Sequence, residues 1–189
     1  YNYYTTNNGF KTEYLTIQNN RLSNSAYGIY IRGYSTSNLG TNTSILNNRV
    51  ENIYYRPVWL EDQEQLVFSG NTITNTANYG FDFRAIYTND LRNYYEITNN
   101  RVSGANTGTT NYAAYINDSD GLVTTPALIA NNFFSSGGTG SGSRTVYIVS
   151  SSYVNFYNNN INSIGTNSAS GAYYHSSNSN SHYKNNNVI

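Results

Sequence analysis

The stretch ITNNRV, Ile97 to Val102, carries a six-residue pattern that recurs along the whole chain. ILNNRV stands at 45–50 and IQNNRL at 17–22, each with two asparagines inside an apolar frame. In the third of seven copies, FSGNTI, Gly70 replaces the first asparagine, and the second asparagines lie 23 to 32 residues apart. The apolar frames are Ile17/Leu22, Ile45/Val50, Phe68/Ile73, Ile97/Val102, Ile129/Phe134, Phe156/Ile161 and Tyr183/Val188. A repeat of this length with a varying period predicts a solenoid whose insertions are confined to loops.

The asparagine pair indicates a sharp corner between two short strands. One residue at such a corner must adopt a left-handed backbone, which asparagine tolerates better than other non-glycine residues, and Gly70 meets the same demand. Stacked from coil to coil at about 4.8 Å, the amides can hydrogen-bond to one another as a ladder. We expect this structural ladder to form one solvent-facing line of Asn20, Asn48, Asn71, Asn100, Asn132, Asn159 and Asn186.

A second kind of apolar segment lies between the asparagine corners. The six examples are GIYIR at 28–32, PVWLE at 57–61, GFDFR at 80–84, AAYIN at 113–117, TVYIV at 145–149 and GAYYH at 171–175. Alternation of buried and outward residues with a period of two indicates a strand, and no helical period accompanies it. Units that coil once per repeat stack into a parallel β-helix. We predict an all-β, right-handed parallel β-helix of six to seven coils, because a left-handed hexapeptide helix would keep a stricter period.

The composition excludes several classes of protein. Ten basic residues balance ten acidic ones in 189 residues, so there is little from which to build a nucleic-acid-binding surface. The chain has no cysteine, hence no disulfide framework and no thiolate metal site. No apolar run approaches the ~18 residues of a membrane span, so membrane insertion is not expected. A weakly charged surface with 34 Asn and 21 Tyr favours an extracellular or cell-surface protein.

The corners, together with strands such as YGIYIRG at 27–33 and YGFDFRA at 79–85, make the chain resemble right-handed parallel β-helix repeat proteins of the pectate-lyase-like superfamily. The likeness covers residues 14–189. That superfamily includes lyases, hydrolases, adhesins, phage spikes and structural stalks, so the resemblance implies a fold and leaves the activity open. It also implies that substrates lie along the outer face of the first strand of each coil. The Asn-Thr-Asp, Asp-Asp, Gly-His-Gly and Arg-Ile-Lys motifs of polygalacturonase-type hydrolases are absent, so no catalytic residue is carried over.

Alignment of the six segments predicts one inward set and one outward row on the first strands. The inward pairs are Ile29/Ile31, Val58/Leu60, Phe81/Phe83, Ala114/Ile116, Val146/Ile148 and Ala172/Tyr174. The outward row is Tyr30, Trp59, Asp82, Tyr115, Tyr147 and Tyr173. Three interpretations of its five aromatic residues stay open: packing across strands, a contact for a weakly charged polysaccharide, or a lateral contact with another copy of a β-helix protein.

The next outward row carries the charges. Its predicted members are Arg32, Glu61, Arg84, Asn117, Val149 and His175, with Asp62, Glu64, Asp82, Asp118 and Asp120 nearby. Carboxylates in such a cluster could pair for glycoside hydrolysis or bind Ca²⁺ near Glu61, Asp62, Asp82 and Asp118. A solvated charged rim is the default interpretation. We therefore assign no catalytic residue, no metal ligand and no cofactor.

Two further features have structural interpretations. His175 and His182 stand in a Ser/Asn-rich stretch with no third ligand in sight, so we predict surface histidines. The run SSGGTGSGSR at 135–144 predicts a flexible loop, since no helix or lysine follows it to bind phosphate.

These observations favour a non-catalytic module. Residues 1–189 are expected to form one β-helix domain, cut from a longer repeat protein or filament. The expected role is an extracellular or cell-surface stalk, filament or adhesin, with polysaccharide or another β-helix copy as the partner. The alternative is a polysaccharide lyase or glycoside hydrolase.

Overall fold

The chain folds into parallel β-strands stacked coil upon coil, as seen in a computed structural model that describes residues 12–76, 82–104 and 110–189. The strands are β1 (Thr16–Gln18), β2 (Arg21–Ser23), β3 (Tyr27–Arg32), β4 (Gly40–Thr41), β5 (Ser44–Leu46), β6 (Arg49–Glu51), β7 (Arg56–Ser69), β8 (Thr72–Thr74), β9 (Asp82–Thr98), β10 (Arg101–Ser103), β11 (Thr110–Asn117), β12 (Ala127–Ala130), β13 (Phe133–Ser136), β14 (Arg144–Val149), β15 (Val154–Tyr157), β16 (Asn160–Ser163), β17 (Gly171–Ser176), β18 (His182–Lys184) and β19 (Asn187–Val188). All pairings between these strands are parallel. The described residues form no helix, which confirms the predicted all-β parallel solenoid and excludes a membrane-spanning helix among them.

Each coil contributes to three faces. The first face contains β3, the first halves of β7 and β9, β11, β14 and β17. The second face contains β1, β5, the second halves of β7 and β9, β12, β15 and β18. The third face is a separate sheet of β2, β6, β8, β10, β13, β16 and β19. The asparagine corner lies between the second and third faces, for example between β1 and β2.

The predicted asparagine ladder is present. The first corner residue is left-handed in every copy, with φ between 54° and 69°: Asn19, Asn47, Gly70, Asn99, Asn131, Asn158 and Asn185. The second residue donates its side-chain Nδ2 to Oδ1 of the equivalent asparagine in the next coil at 2.9–3.1 Å, from Asn20 through to Asn186. The expected solvent exposure is wrong for the five inner rungs, which are 1–2% exposed. They turn inward because each Nδ2 also donates to a backbone carbonyl of the preceding coil, such as Ile45 O.

A second stacked corner joins the first and second faces, and the sequence interpretation missed it. Its left-handed residues are Asp62, Asp90, Asp118, Ser150 and Ser177. From Leu91 onward, the residue after the left-handed one takes part in a mixed ladder. The backbone N–H of Leu91 donates to Ser119 Oγ at 3.4 Å, that of Ser119 to Ser151 Oγ at 3.1 Å, and that of Ser151 to Asn178 Oδ1 at 2.8 Å. Asp tolerates the left-handed region for the same reason as Asn. The acidic residues at this corner therefore have a backbone role before any chemical one.

The space between the faces is filled by inward side chains. The largest fully buried ones include Tyr95, Phe68, Phe134 and Phe156. Tyr95 is wholly inside, where burial raises the pKa of its phenol and its hydroxyl donates to Ser119 O at 3.1 Å.

The glycine-rich run lies where two coils approach each other closely. Ser135 and Ser136 belong to β13, so the predicted loop begins only at Gly137. A Cβ at Gly137 would lie 2.4 Å from Gly165 N and from Ile164 C, both backbone atoms of the next coil. A Cβ at Gly142 would meet only the Thr110 side chain, at 3.5 Å.

We therefore expect Gly137→Ala to destabilise the protein by about 1–3 kcal/mol through overpacking. The matched change Gly142→Ala should lie within about 0.5 kcal/mol of the parent, as most unconstrained surface substitutions do. Urea unfolding of the two variants measures the difference. Equal stabilities would contradict the close approach of the two coils.

Candidate functional site

One outward row on the first face consists entirely of aromatic residues. Strand register pairs Tyr30 with Trp59, and Trp59 with Tyr87. It continues from Tyr87 through Tyr115 and on to the next two coils. We call this row the aromatic column: Tyr30, Trp59, Tyr87, Tyr115, Tyr147 and Tyr174. Ring centroids of successive members are 4.9, 5.4, 5.6, 4.9 and 5.1 Å apart.

The predicted outward row is correct at four positions and wrong at two. Asp82 pairs with Thr110 and lies five residues before Tyr87, which occupies the place assigned to it. The prediction aligns the third segment on GFDFR, of which Gly80 and Phe81 lie outside the described residues. In the structure, RAIYT at 84–88 is the stretch that aligns with the neighbouring coils.

In the last segment the prediction slipped by one residue. Tyr173 pairs with Val146, an inward residue, and packs on Phe156 with ring centroids 5.3 Å apart. Tyr174 pairs with Tyr147 and points outward, so the inward position predicted for it is wrong. Ala172 and Tyr174 therefore do not form the inward pair of this coil. The slip exchanges inward for outward residues because alternate residues of a strand face opposite sides.

A second outward row runs three residues before the aromatic column. It contains Tyr27, Arg56, Arg84, Tyr112 and Arg144, and we call it the arginine column. Two consecutive buried residues separate the rows in the middle coils, for example Ala85 and Ile86, both 0% exposed. Simple alternation fails there, which is why the sequence interpretation did not find this row. The available signal was the spacing Arg/Tyr-x-x-aromatic in YGIY, RPVW, RAIY, YAAY and RTVY.

The arginine column carries net positive charge. Arg84 donates from Nη2 to Asp82 Oδ2 at 2.7 Å, and Arg56 Nη2 lies 3.7 Å from the same oxygen. One carboxylate thus serves two guanidinium groups. Burial lowers the pKa of Arg56, and the neighbouring charge of Arg84 lowers it further. Arg84 Cζ also lies 4.0 Å from the centre of the Tyr115 ring, a cation–π contact that ties the two columns together.

Arg144 differs from the other two arginines because no carboxylate in the described chain pairs with it. Its Nη1 donates to three backbone carbonyls, Ser141 O, Ser143 O and Ala169 O, at 2.7–3.0 Å, which holds the guanidinium in place. Beside it lies a depression of about 290 Å³ lined by Arg84, Tyr112, Tyr115, Gly142, Arg144, Tyr147 and Tyr174. The depression thus sets aromatic surface beside a fixed positive charge.

The opposite flank of the aromatic column carries charges of both signs among neutral residues. By strand register its row is Arg32, Glu61, Asn89, Asn117, Val149 and Ser176, so the predicted places of Arg84 and His175 in this row are wrong. Arg32 Nε lies 3.3 Å from Asp62 Oδ2 and 3.7 Å from Glu61 Oε2. Burial raises the pKa of Glu61.

The predicted acidic cluster is only partly assembled. Asp62 and Asp118 meet around Asp90, whereas Asp82 lies eight residues away along β9, on the arginine flank. Arg92 lies between the carboxylates, 2.7 Å from Asp90 Oδ1, 3.3 Å from Asp118 Oδ1 and 3.1 Å from Asp120 Oδ2. In the described ranges no group of three or more acidic or histidine side chains is arranged to hold a metal ion. The expectation that the protein holds no metal ion and no cofactor stays a prediction.

Comparison with known families agrees with the fold. The sequence model of the family described as "Right handed beta helix region" matches residues 2–161. No curated protein and no solved structure matches the chain.

Proposed function

The chain belongs to the right-handed β-helix family, and from that premise we propose that it is a non-catalytic, extracellular or cell-surface module that binds a polysaccharide along its first face. In this role it acts as an adhesin, or as a stalk or filament that carries a glycan-binding surface. A stacked β-helix repeats the same side-chain position once per coil, which suits a ligand that is itself a repeating chain.

The aromatic column is the observation that carries this proposal. Its six rings form an unbroken row with centroid spacings of 4.9–5.6 Å. The two end members, Tyr30 and Tyr174, are 37% and 42% exposed. Sugar rings present apolar C–H faces that pack on aromatic rings, while hydroxyls around them need hydrogen-bonding partners. A phenol is protonated at neutral pH and can donate to sugar oxygens, and burial raises the pKa of Tyr30, Tyr87 and Tyr115 further.

The arginine column adds a preference for acidic sugars. A sugar ring placed over Tyr147 would bring a carboxylate or sulfate substituent to Arg144, which has no carboxylate partner in the described chain. Charge-assisted hydrogen bonds from a fixed guanidinium are roughly twice as strong as neutral ones. We therefore expect acidic polysaccharides to bind more tightly than neutral ones of similar length.

Substitution in the aromatic column tests the proposal. Trp59→Ala and Tyr147→Ala are each expected to weaken binding by about 1–3 kcal/mol, because a stacked aromatic ring at a hot spot contributes that much. Calorimetry with a panel of pectic, alginate and neutral glycans measures the effect. Tyr54→Ala is the matched control, since Tyr54 is 43% exposed but lies outside the column.

The panel also defines the result that counts against the proposal. If both variants bind glycans as the parent does, the column only packs across strands. The same conclusion follows if the parent binds no glycan and the variants only lose thermal stability. Self-association that Trp59→Ala removes means that the partner is a second β-helix copy.

A polysaccharide lyase or hydrolase remains the second candidate, and one observation favours it. Glu61 borders the aromatic column next to Trp59, and burial raises the pKa of its carboxyl. A carboxyl that keeps its proton to higher pH is suited to general-acid catalysis. Product analysis of the same glycan incubations separates the two functions. Cleavage that Glu61→Gln abolishes while binding persists would replace the non-catalytic proposal.

A further inference from the structure

Apart from the backbone itself, adjacent coils are held together by noncovalent contacts. The chain contains no cysteine, so no disulfide can join one coil to the next. It contains 21 tyrosines, and a row of them meets ring to ring across coils in the aromatic column. Tyrosine phenols are the side chains of the column that an oxidant could couple covalently.

One pair in the column is better placed than the others. Tyr147 and Tyr174 are direct register partners on adjacent coils, with ring centroids 5.1 Å apart and planes inclined by 33°. The other tyrosine pairs in the column are edge-to-face, Tyr87–Tyr115 at 63° and Tyr115–Tyr147 at 69°. An edge-to-face contact directs one ring's edge at the other's face, whereas coupling needs the ring carbons beside the two hydroxyls to meet.

The pair can also be reached from solvent. The Tyr174 side chain is 42% exposed, the largest exposed fraction given for a member of the column, and Tyr147 is partly exposed beside the depression at Arg144. Trp59 lies three coils away from Tyr147 and cannot take part in the same bond.

We propose that Tyr147 and Tyr174 form a site of oxidative coupling, at which a haem peroxidase using hydrogen peroxide joins the two rings by a carbon–carbon bond. Each phenol gives up one electron and one proton, and the two radicals combine at the carbons adjacent to the hydroxyl groups. Each ring then moves its displaced hydrogen to oxygen as a proton and becomes a phenol again. In balance, two tyrosines and one hydrogen peroxide yield one dityrosine and two waters.

The bond would close the loop of one coil covalently. A cross-link between residues that are already neighbours in the native state constrains mainly the unfolded chain, as a disulfide does. The coupled protein should therefore unfold at a temperature higher by on the order of 5 °C. The inference concerns two members of the aromatic column but does not require that a glycan binds there.

Oxidation of the whole chain at low concentration with a haem peroxidase and hydrogen peroxide tests the proposal. We expect a monomer that has lost two hydrogen atoms, dityrosine fluorescence, and a cross-linked peptide pair containing Tyr147 and Tyr174. Tyr174→Phe keeps the ring and should abolish all three signals together with the thermal shift. The control Tyr54→Phe removes a tyrosine of similar exposure, 43%, and should leave them unchanged.

The proposal is overturned by full cross-link yield in Tyr174→Phe, or by cross-links found mainly between chains. It is equally overturned if other exposed tyrosines are oxidised while the Tyr147–Tyr174 linkage does not form. Glycan calorimetry on unoxidised protein is unaffected by any of these results, so failure here is distinguishable from failure of the proposed function.

Discussion

Asn100→Ala is expected to lower the free energy of unfolding by about 4 kcal/mol, because it removes four hydrogen bonds worth ~1 kcal/mol each. Asn100 Oδ1 accepts from both the backbone N–H and the Nδ2 of Asn71, at 2.9 and 3.1 Å. Its own Nδ2 donates to Phe68 O and to Asn132 Oδ1, both at 3.0 Å. The side chain is only 2% exposed, so water cannot replace the lost partners in the folded state.

The first rung of the ladder provides the matched control. Asn20 donates to Gln18 O and Asn48 Oδ1, but its side chain lies at an exposed position and no described group donates to its Oδ1. Asn20→Ala should therefore cost about 1 kcal/mol or less. Urea unfolding of both variants measures the difference. Equal losses would show that burial of the ladder does not contribute to stability.

Phe134→Ala is expected to destabilise the protein by about 3–5 kcal/mol, the range for a large core aromatic replaced by alanine. Phe134 is 0% exposed and frames the fifth asparagine corner. Its neighbour Phe133 points the other way, partly exposed, with Arg101 Cζ 4.8 Å from the ring centre. Phe133→Ala should cost only about 1 kcal/mol, in line with an exposed cation–π contact.

This pair of variants tests strand register directly. Phe133 and Phe134 are adjacent, so a slip of one residue in β13 would exchange their places. Thermal and chemical unfolding of the two variants provides the measurement. A larger loss from Phe133→Ala than from Phe134→Ala would place the wrong residue in the core.

The proposed polysaccharide site depends on residues that the sequence interpretation found only in part. Four members of the aromatic column, including Trp59 and Tyr115, were predicted from alternation alone. Tyr87 and Tyr174 were missed, and so was the whole arginine column. The sequence interpretation places Arg84 in the row of Arg32 and Glu61, although in the structure it lies against Asp82 and Tyr115. The functional interpretation accordingly moves from a weakly charged surface to an aromatic column with a basic flank on one side and a flank of mixed charge on the other.

Local backbone demands explain what could be read from the amino-acid order. A corner needs one residue at positive φ, and every copy supplies it with an Asn-Asn or Gly-Asn pair, as at Asn99 and Gly70. The apolar frame around each pair follows from period-two alternation in the flanking strands. Both signals lie within six residues, so repetition along the chain was enough to predict the parallel β-helix and the ladder.

Contacts between coils decide the features that the sequence alone does not predict. Ala85 and Ile86 are both buried, so the alternation of β9 changes phase between Asp82 and Tyr87, and the phase is set by stacking on the neighbouring coils. The same stacking turns the asparagine amides inward. It also places Arg144 beside Tyr112, 32 residues earlier in the chain, to form one depression. No local sequence pattern predicts such a contact, because the register of two stacked strands depends on both segments and on how they pack together.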